Sequence, residues 1–382
     1  MRRMITIGLE EFKSIRKTEI SLHPINVLIG ENASGKSNFL SAFAMLNHLM
    51  TRGFQRWVQK AGGPESILHG GVHSARSAWC WVDFEQAQSG TEANVHGYSV
   101  EMTFVPEDTL AISEHLEFVP AGGGRIKVCL PPGPTRESVL AQESIDFGGL
   151  DEKTTHRTLR FLLSRCRYFH LHDTSAESYM RRSCAVNDVD GLKHNAGNLA
   201  AFLYRLSQAD YRPYYDRVVK TIRRVYYEFD DFVLRPTELD PDQILLRCRD
   251  RSTGYVLGPH QLSDGSLRFM ALATLFLQPE ATLPDLIALD EPELGLHPGA
   301  LNILAGMIRG YAAERQVIVA TQSMGFVDAF KPEDVIVTGR ANGCTTLRRL
   351  DPTALTEWME DYRLGELVDR GIAGLDPTSP GR

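Results

Sequence analysis

The sequence Gly30-Glu31-Asn32-Ala33-Ser34-Gly35-Lys36-Ser37 decides the fold of this 382-residue chain. It matches the pattern G-x-x-x-x-G-K-[ST], which is typical of a phosphate-binding loop. The apolar run Ile25–Ile29 precedes it and predicts a buried strand. Apolar residues then recur at helical spacing, at Phe39, Phe43, Leu46 and Met50. A strand, a glycine turn and a helix in this order form the context in which such a loop binds phosphate.

Each residue type in the loop has a physical role. Glycines let the backbone curl so that N–H groups point at phosphate oxygens, and the N-terminus of the following helix adds positive potential. Lys36 would contact the β- and γ-phosphates of a nucleotide, and the Ser37 hydroxyl would ligate Mg²⁺. The alternative is a glycine-rich turn without a ligand. The candidate binding residues are Gly30, Glu31, Asn32, Ala33, Ser34, Gly35, Lys36, Ser37 and Asn38.

A second apolar run, Leu286–Leu289, is followed by two carboxylates, Asp290 and Glu291. We expect it to form a buried strand beside the strand of the phosphate loop, so that Asp290 reaches the magnesium. Glu291 would orient or deprotonate the water that attacks the γ-phosphate. The alternative is a buried strand that ends in solvated acids.

Two further motifs specify the class of protein. Leu262-Ser263-Asp264-Gly265-Ser266 opens a predicted helix, and Asp290 follows Ser263 by 27 residues. Directly after Glu291 stands Pro292-Glu293-Leu294-Gly295-Leu296-His297-Pro298. Serine and glycine at a helix start form a second anion site, suited to the γ-phosphate of a nucleotide on another subunit.

These two motifs resemble the signature motif and the D-loop of ABC-type ATPases. The start of the chain, with Glu11-Phe12-Lys13-Ser14-Ile15 before the phosphate loop, resembles RecF, SMC and OLD-type ATPases. Lys36 and Ser263 are 227 residues apart, far more than in transporter subunits. The segment between them lacks sustained heptads, so a compact insertion is expected rather than a coiled coil. The nearest resemblance is to compact bacterial "AAA family" predicted ATPases without an appended nuclease domain.

The resemblance implies an α/β P-loop NTPase fold, an ABC-type ATPase head with two lobes and a compact β-rich and helical insertion. We expect the N-terminal part of the core in residues 1–75 and the insertion in residues 76–255. The C-terminal part of the core would occupy 256–350, and a helix and tail 351–382. Pro131-Pro132-Gly133-Pro134 predicts a loop, and Leu375–Arg382 a frayed end.

The resemblance also implies roles at single positions. Lys36 and Glu291 match catalytic residues, and Ser37 and Asp290 match the Mg²⁺ ligands. Ser263 and Gly265 match residues that contact ATP across a dimer of two heads. Gln322, after the predicted strand Val317–Ala320, stands where a switch histidine is usual, which weakens any expectation of an ordinary hydrolysis rate. Gln55 and Gln86 are both possible Q-loop residues.

Composition limits the partners. The chain carries 41 Lys and Arg against 48 Asp and Glu, a net charge of −7, so any DNA contact needs a local patch. Arginine pairs such as Arg181 and Arg182 are best explained as solvated faces, and a contact to phosphate or base is the alternative. Scattered cysteines and the lack of a membrane span or signal peptide indicate a cytoplasmic protein.

Two histidine features leave alternatives open. Tyr168–Asp173 places His170 and His172 on one face of a predicted strand, either as metal ligands or as a strand end capped by the following residues. His297 in the D-loop would either connect two nucleotide sites or pack in a turn.

The sequence therefore predicts a cytoplasmic ATPase that binds ATP and Mg²⁺ and forms an ATP-dependent homodimer. By resemblance, it would act in DNA repair or anti-phage defence with a separately encoded effector. A regulatory nucleotide-binding module with little turnover is one alternative, and the motor subunit of a transporter is another.

Overall fold

A computed structural model describes residues 2–86, 94–106, 109–120, 124, 126–130, 134–142 and 150–370. Of the loop predicted at 131–134 only residue 134 is among these residues, and the tail predicted at 375–382 lies outside them. The described chain divides into two compact units. The first contains Met1–Tyr168, Asp285–Ala288 and Glu314–Arg382, and the second contains Phe169–Pro284 and Leu289–Ala313.

The strands of the described residues, in chain order, are β1 Arg2–Phe12, β2 Ile15–Ser21, β3 Ile25–Ile29, β4 Ser77–Gln86, β5 Asn94–Val105, β6 Thr109–Val119, β7 Ile126–Cys129, β8 Cys166–Phe169, β9 Cys184–Ala185, β10 Phe229–Phe232, β11 Gln243–Ile244, β12 Cys248–Asp250, β13 Val256–Leu257, β14 Leu286–Asp290, β15 Gln316–Thr321, β16 Val335–Ala341 and β17 Cys344–Arg349.

The α-helices of the same residues are α1 Lys36–Met50, α2 Phe54–Lys60, α3 Leu150–Ser164, α4 Leu199–Leu206, α5 Arg212–Val225, α6 Asp264–Leu277, α7 Pro298–Ala312, α8 Met324–Val327, α9 Pro352–Leu355, α10 Trp358–Asp361 and α11 Leu364–Asp369.

The first unit contains an antiparallel sheet in the order β2-β1-β4-β5-β6-β7. Side chains of β4 alternate between buried and half-buried positions, because successive residues of a strand point to opposite faces. The buried face joins one hydrophobic core with α1, whose Phe39, Phe43 and Leu46 are fully buried. The described part of residues 77–129 is therefore rich in strands. β1 is an inner strand of this sheet, because it pairs with both β2 and β4.

The second sheet has the strand order β17-β16-β3-β15-β14-β8. β3 pairs in parallel with β15 and with β16, which confirms a largely parallel sheet. The expectation that Leu286–Leu289 lies directly beside the phosphate-loop strand is wrong. β15 lies between β3 and β14. β14 and β15 are both fully buried and largely apolar, and the sequence of such strands does not reveal which of the two is the neighbour of β3.

The second unit is mainly helical. α6 is almost entirely buried, whereas α5 buries one stripe made by Tyr215, Val218, Val219 and Ile222. Asn198 precedes α4 at the N-cap position, but its side chain makes no capping hydrogen bond. The Asn198 amide instead accepts from the Lys193 N–H and donates to two backbone carbonyls, which ties down the loop before the helix.

Candidate functional site

The phosphate-loop motif lies between β3 and α1, as its sequence context predicts. Gly35 occupies the N-cap position of α1 with a φ of 108°, a left-handed conformation that favours glycine. Lys36 is only 5% exposed, and its Nζ donates to the carbonyl oxygens of Gly30 at 2.7 Å and Glu31 at 2.9 Å. The loop thus curls around the lysine ammonium group.

A chain of hydrogen bonds connects the phosphate loop to β17 and to the turn at Ser14, all within the first unit. Asn38 Nδ2 donates to Ser14 Oγ at 2.7 Å, and Ser14 Oγ lies 2.7 Å from Thr345 Oγ1. Thr345 Oγ1 in turn donates to the Ser34 carbonyl at 3.0 Å. A Cβ on Gly35 would come within 2.0 Å of Thr345 Oγ1, so glycine is required for this packing as well as for its φ. Asn38, a candidate binding residue, thus supports the loop through its hydrogen bond to Ser14.

The loop fits a phosphate group. Ser34 is 5% exposed, and its Oγ has no hydrogen-bond partner among the described residues. A buried hydroxyl of this kind gains from an anionic acceptor. A cavity of about 460 Å³ borders the loop from Gly30 to Ser34, with Arg340 and Asp369 in its wall. Its volume is in the range of small-molecule sites.

Asp290 is the last residue of the buried strand β14, one residue beyond the predicted run Leu286–Leu289, and Glu291 follows the strand. Asp290 is 8% exposed, and its carboxylate has the hard oxygen donors that Mg²⁺ prefers. Glu291 has a φ of 39°, which is uncommon for a residue with a side chain and is typical of functional sites. Both residues belong to the second unit, whereas Lys36 and Ser37 belong to the first.

The signature segment begins α6, as predicted. Ser263 is the N-cap, and its Oγ accepts from the Ser266 N–H at 3.1 Å. Arg181 fixes the residues that lead into this helix. Its guanidinium donates to the carbonyls of Thr174, Pro259 and Leu262 and lies 2.6 Å from the Asp264 carboxylate.

The solvated-face reading is therefore wrong for Arg181, which is 6% exposed. Arg182 fits that reading better, since it is half-exposed and pairs with Glu177 at 2.7 Å. Neighbouring arginines thus have different roles, because only one of them faces the carbonyls before α6.

The signature segment and the D-loop pack directly against each other within the second unit. A Cβ on Gly265 would come within 2.1 Å of the Gly295 carbonyl oxygen. Arg268, one turn into α6, donates to the carbonyls of Leu294, Leu171 and His172. The glycine of the signature is thus required by a close approach of two backbones, and an arginine of the same helix bonds to the D-loop and to the segment at Leu171 and His172.

Tyr226 lies next to the same pair of segments. Its ring makes edge-to-face contacts with Phe269 of α6, with centroids 5.9 Å apart, and with His297, 6.0 Å apart. His297 caps α7 by accepting from the Ala300 N–H, and its Nε2 lies 3.3 Å from the Val225 carbonyl. The turn-packing role of His297 is thus present. A role between two nucleotide sites stays a prediction.

His170 and His172 do not lie on a strand, although one possibility from the sequence placed them there as metal ligands. β8 ends at Phe169, so His170 and His172 lie beyond the strand, in the segment that follows the neighbour of β14. Their rings stack with centroids 4.8 Å apart. Burial lowers the pKa of His170, and His172 lowers it further, while Asp290 and Asp173 act in the opposite direction. Asp290 is thus among the charges that act on His170.

Metal binding by this histidine pair is not supported. Among the residues that the structure describes, no group of three or more His, Cys, Asp or Glu side chains could hold a metal ion. Asp173 forms a turn, with its Oδ1 accepting from the N–H and hydroxyl of Ser175. The reading of this segment as a strand end followed by a capped turn is therefore the better one.

The glutamine candidates have different surroundings. Gln322 follows β15, as predicted, and it is exposed. Gln55 lies in α2, where its amide donates to the carbonyls of Leu110 and Arg136 and accepts from the Thr109 hydroxyl. These bonds give Gln55 a structural role. Gln86 ends β4.

Comparisons with known proteins agree with this architecture. Residues 174–328 match a family model described as "AAA domain, putative AbiEii toxin, Type IV TA system", and residues 3–55 match a family described as a protein of unknown function (DUF2813). The SMC head bound to the C-terminal winged-helix domain of ScpA is 15% identical, with a TM-score of 0.57, over 90% of this chain and 97% of that one. The chain has the fold of an ABC-type ATPase head.

A second SMC head gives the same result. The head with an extended coiled coil bound to the C-terminal domain of ScpA, derived from Pyrococcus furiosus, is 14% identical, with a TM-score of 0.57, over 94% of this chain and 99% of that one. The predicted P-loop NTPase fold and the structural resemblance to SMC heads are thus confirmed. No functionally curated protein matches the sequence. No helix among the described residues has the length and apolarity needed to span a membrane.

Proposed function

We propose that this chain is an ATP-hydrolysing switch ATPase whose two heads dimerise on ATP and Mg²⁺. The observation that carries the proposal is the phosphate loop, with its buried Lys36, its left-handed Gly35 and the orphan hydroxyl of Ser34. The signature segment and the D-loop support it, because both motifs accompany this loop in a chain with an ABC-type fold.

The residues divide the work by their chemistry. Lys36 and the loop N–H groups would bind and orient the β- and γ-phosphates. Ser37 and Asp290 would hold Mg²⁺, which supplies charge neutralisation on the phosphate oxygens. Glu291 would orient the attacking water and take its proton. Gln322 would contact the γ-phosphate from the end of β15.

Dimerisation would complete each site. Ser263 and Gly265 lie at the start of α6, where backbone N–H groups form an anion site for the nucleotide of the second head. Because Gly265 packs on Gly295 and Arg268 bonds to Leu294, the D-loop and the signature would meet the second head as one surface. ATP would favour the closed dimer and hydrolysis would release it.

The biological setting follows from the resemblance rather than from the site. We propose DNA repair or anti-phage defence with a separately encoded effector, in the cytoplasm. Gln322 in place of the usual switch histidine favours a second candidate function, a regulatory nucleotide-binding module with little turnover. The length between Lys36 and Ser263 argues against a transporter motor.

Turnover of Mg-ATP with and without linear duplex DNA tests this proposal. Glu291→Gln provides the blank, and Glu280→Gln, an exposed residue of the same unit, provides the matched control. We expect hydrolysis that DNA stimulates, that Glu280→Gln retains and that Glu291→Gln lacks. Turnover indifferent to DNA would remove the DNA role, and turnover no higher than the blank would favour the regulatory module.

A further inference from the structure

His69 and Cys344 form a thiol–imidazole pair in the first unit. The Cys344 Sγ lies 3.6 Å from His69 Nε2, and His69 Nδ1 lies 2.7 Å from the Lys13 carbonyl oxygen. A carbonyl oxygen only accepts, so Nδ1 carries a proton. In the neutral ring Nε2 then presents its lone pair to the thiol. The chain has thus placed a base beside a nucleophile.

Cys344 differs in its access to solvent from Cys80, Cys166 and Cys248, which are buried, whereas Cys184 is half-buried like Cys344. Burial raises the pKa of Cys80, Cys166 and Cys248 to about 12, and it also raises the pKa of Cys184. Those thiols keep their protons at neutral pH and react slowly. Cys344 is half-buried, and so is His69, so a small reagent can approach both.

The pair is joined to the phosphate loop by the next residue. Thr345 donates its backbone N–H to the Ser14 carbonyl at 2.8 Å and its hydroxyl to the Ser34 carbonyl at 3.0 Å. Its side chain fills the space that a Cβ on Gly35 would occupy. A bulky group on Cys344 would displace the start of β17 and, with it, this support of the loop.

We propose that Cys344 and His69 form a thiol–disulfide exchange site through which a low-molecular-weight disulfide controls nucleotide binding at the phosphate loop. The Cys344 thiol gives its proton to His69 Nε2, and the sulfur attacks one sulfur of the disulfide. A new S–S bond forms while the old one breaks, and the departing thiolate takes the proton from His69. Cys344 is oxidised to a mixed disulfide and half of the reagent is reduced to a thiol.

The exchange chemistry stands on the pair alone, whereas control of nucleotide binding rests on the proposed function. Reversal needs only a second thiol, which attacks the mixed disulfide by the same route. The site would therefore report the ratio of small disulfides to small thiols.

The first experiment measures reaction of the full chain with glutathione disulfide, by peptide mass spectrometry over time. His69→Gln keeps a donor for the Lys13 carbonyl but lacks the base. His73→Gln removes an exposed histidine close by in sequence and is the matched control. We expect modification of Cys344 before other cysteines, with a rate at least about tenfold lower in His69→Gln, as for loss of a general base, and unchanged in His73→Gln. Equal rates for His69→Gln and the native chain, or modification first at another cysteine, would overturn the proposal.

The second experiment measures the affinity for a fluorescent ATP analogue before modification, after it and after dithiothreitol. We expect at least about tenfold weaker binding after modification, since the loop loses its Thr345 support, and full recovery with the reductant. Cys344→Ser should bind the analogue and ignore glutathione disulfide. Unchanged affinity of the modified chain would overturn the control of binding. No binding by the reduced chain would overturn the proposed function itself, and the exchange rates would still decide the thiol chemistry.

Discussion

Gly265→Ala tests whether the signature segment and the D-loop are packed as closely as the structure has them. The added Cβ would come within 2.1 Å of the Gly295 carbonyl oxygen and 3.0 Å of its carbon. Carbon–oxygen contacts in proteins are about 3.3 Å or longer, so the start of α6 would have to move by about 1 Å. The atom in the way is backbone, and it cannot swing aside as a flexible side chain can.

The cost can be estimated from the competing effects. Overpacking of this kind costs about 1–3 kcal/mol. Alanine in place of glycine inside a helix gains about 0.5–1 kcal/mol, and less at the first turn. We therefore expect a net loss of about 1–2 kcal/mol in local stability. Gly306→Ala is the matched control, because Gly306 lies in α7 with nothing within 4 Å of its Cβ position, so it should be stabilising.

Hydrogen exchange of peptides from α6 and α7, followed by mass spectrometry, measures this difference locally. A loss of about 1–2 kcal/mol raises exchange of α6 peptides about 5- to 30-fold. All four tryptophans lie in the first unit, so their fluorescence should report unchanged unfolding there. Exchange of α6 in Gly265→Ala as slow as in the native chain would refute the close packing.

Three further outcomes follow from other contacts. Arg181→Met should speed hydrogen exchange in residues 259–266, because hydrogen bonds to a charged group contribute about 2–3 kcal/mol of local stability. Arg182→Met should cost only about 0–1 kcal/mol, as for an exposed ion pair. Equal effects of the two substitutions would contradict the buried role of Arg181. His170→Ala should lower kcat for ATP while the nucleotide Kd changes less than about threefold, because the charge of Asp290 is among those that act on the His170 imidazole. A loss of affinity alone would contradict this, and His260→Ala serves as the exposed control. Thermal stability should fall as pH drops below about 6.5, because burial lowers the folded-state pKa of four histidines and the unfolded state then binds more protons. These histidines are His23, His48, His156 and His170. A Tm that rises on acidification would refute this expectation.

Local features of the core could be predicted from the sequence. Several of them follow from a short stretch of residues whose chemistry allows few alternatives. These are the glycine loop, the apolar runs of β3, β14 and β15, and the helix start at Ser263. The neighbour order of the strands could not be predicted, because β14 and β15 are both fully buried runs of similar composition. The intervening position of β15 is a property of the whole sheet.

Contacts between side chains that are far apart in the sequence could not be predicted either. Arg181 and Arg182 are adjacent, and nothing in the sequence distinguishes the one that reaches Pro259, 78 residues away. The same holds for Cys344 and His69, which are 275 residues apart. For His170 the sequence showed the polar residues that follow Phe169, but not that β8 is the neighbour of β14.

Sedimentation velocity of Glu291→Gln, with and without saturating Mg-ATP, tests the central claim most directly. This variant should bind ATP without hydrolysing it and should therefore accumulate any ATP-bound dimer. We expect a shift from monomer to dimer on addition of Mg-ATP, and no shift when Lys36→Ala is combined with Glu291→Gln. A Glu291→Gln protein that stays monomeric while a fluorescent ATP analogue saturates its site would contradict the claim that ATP closes two heads into a dimer.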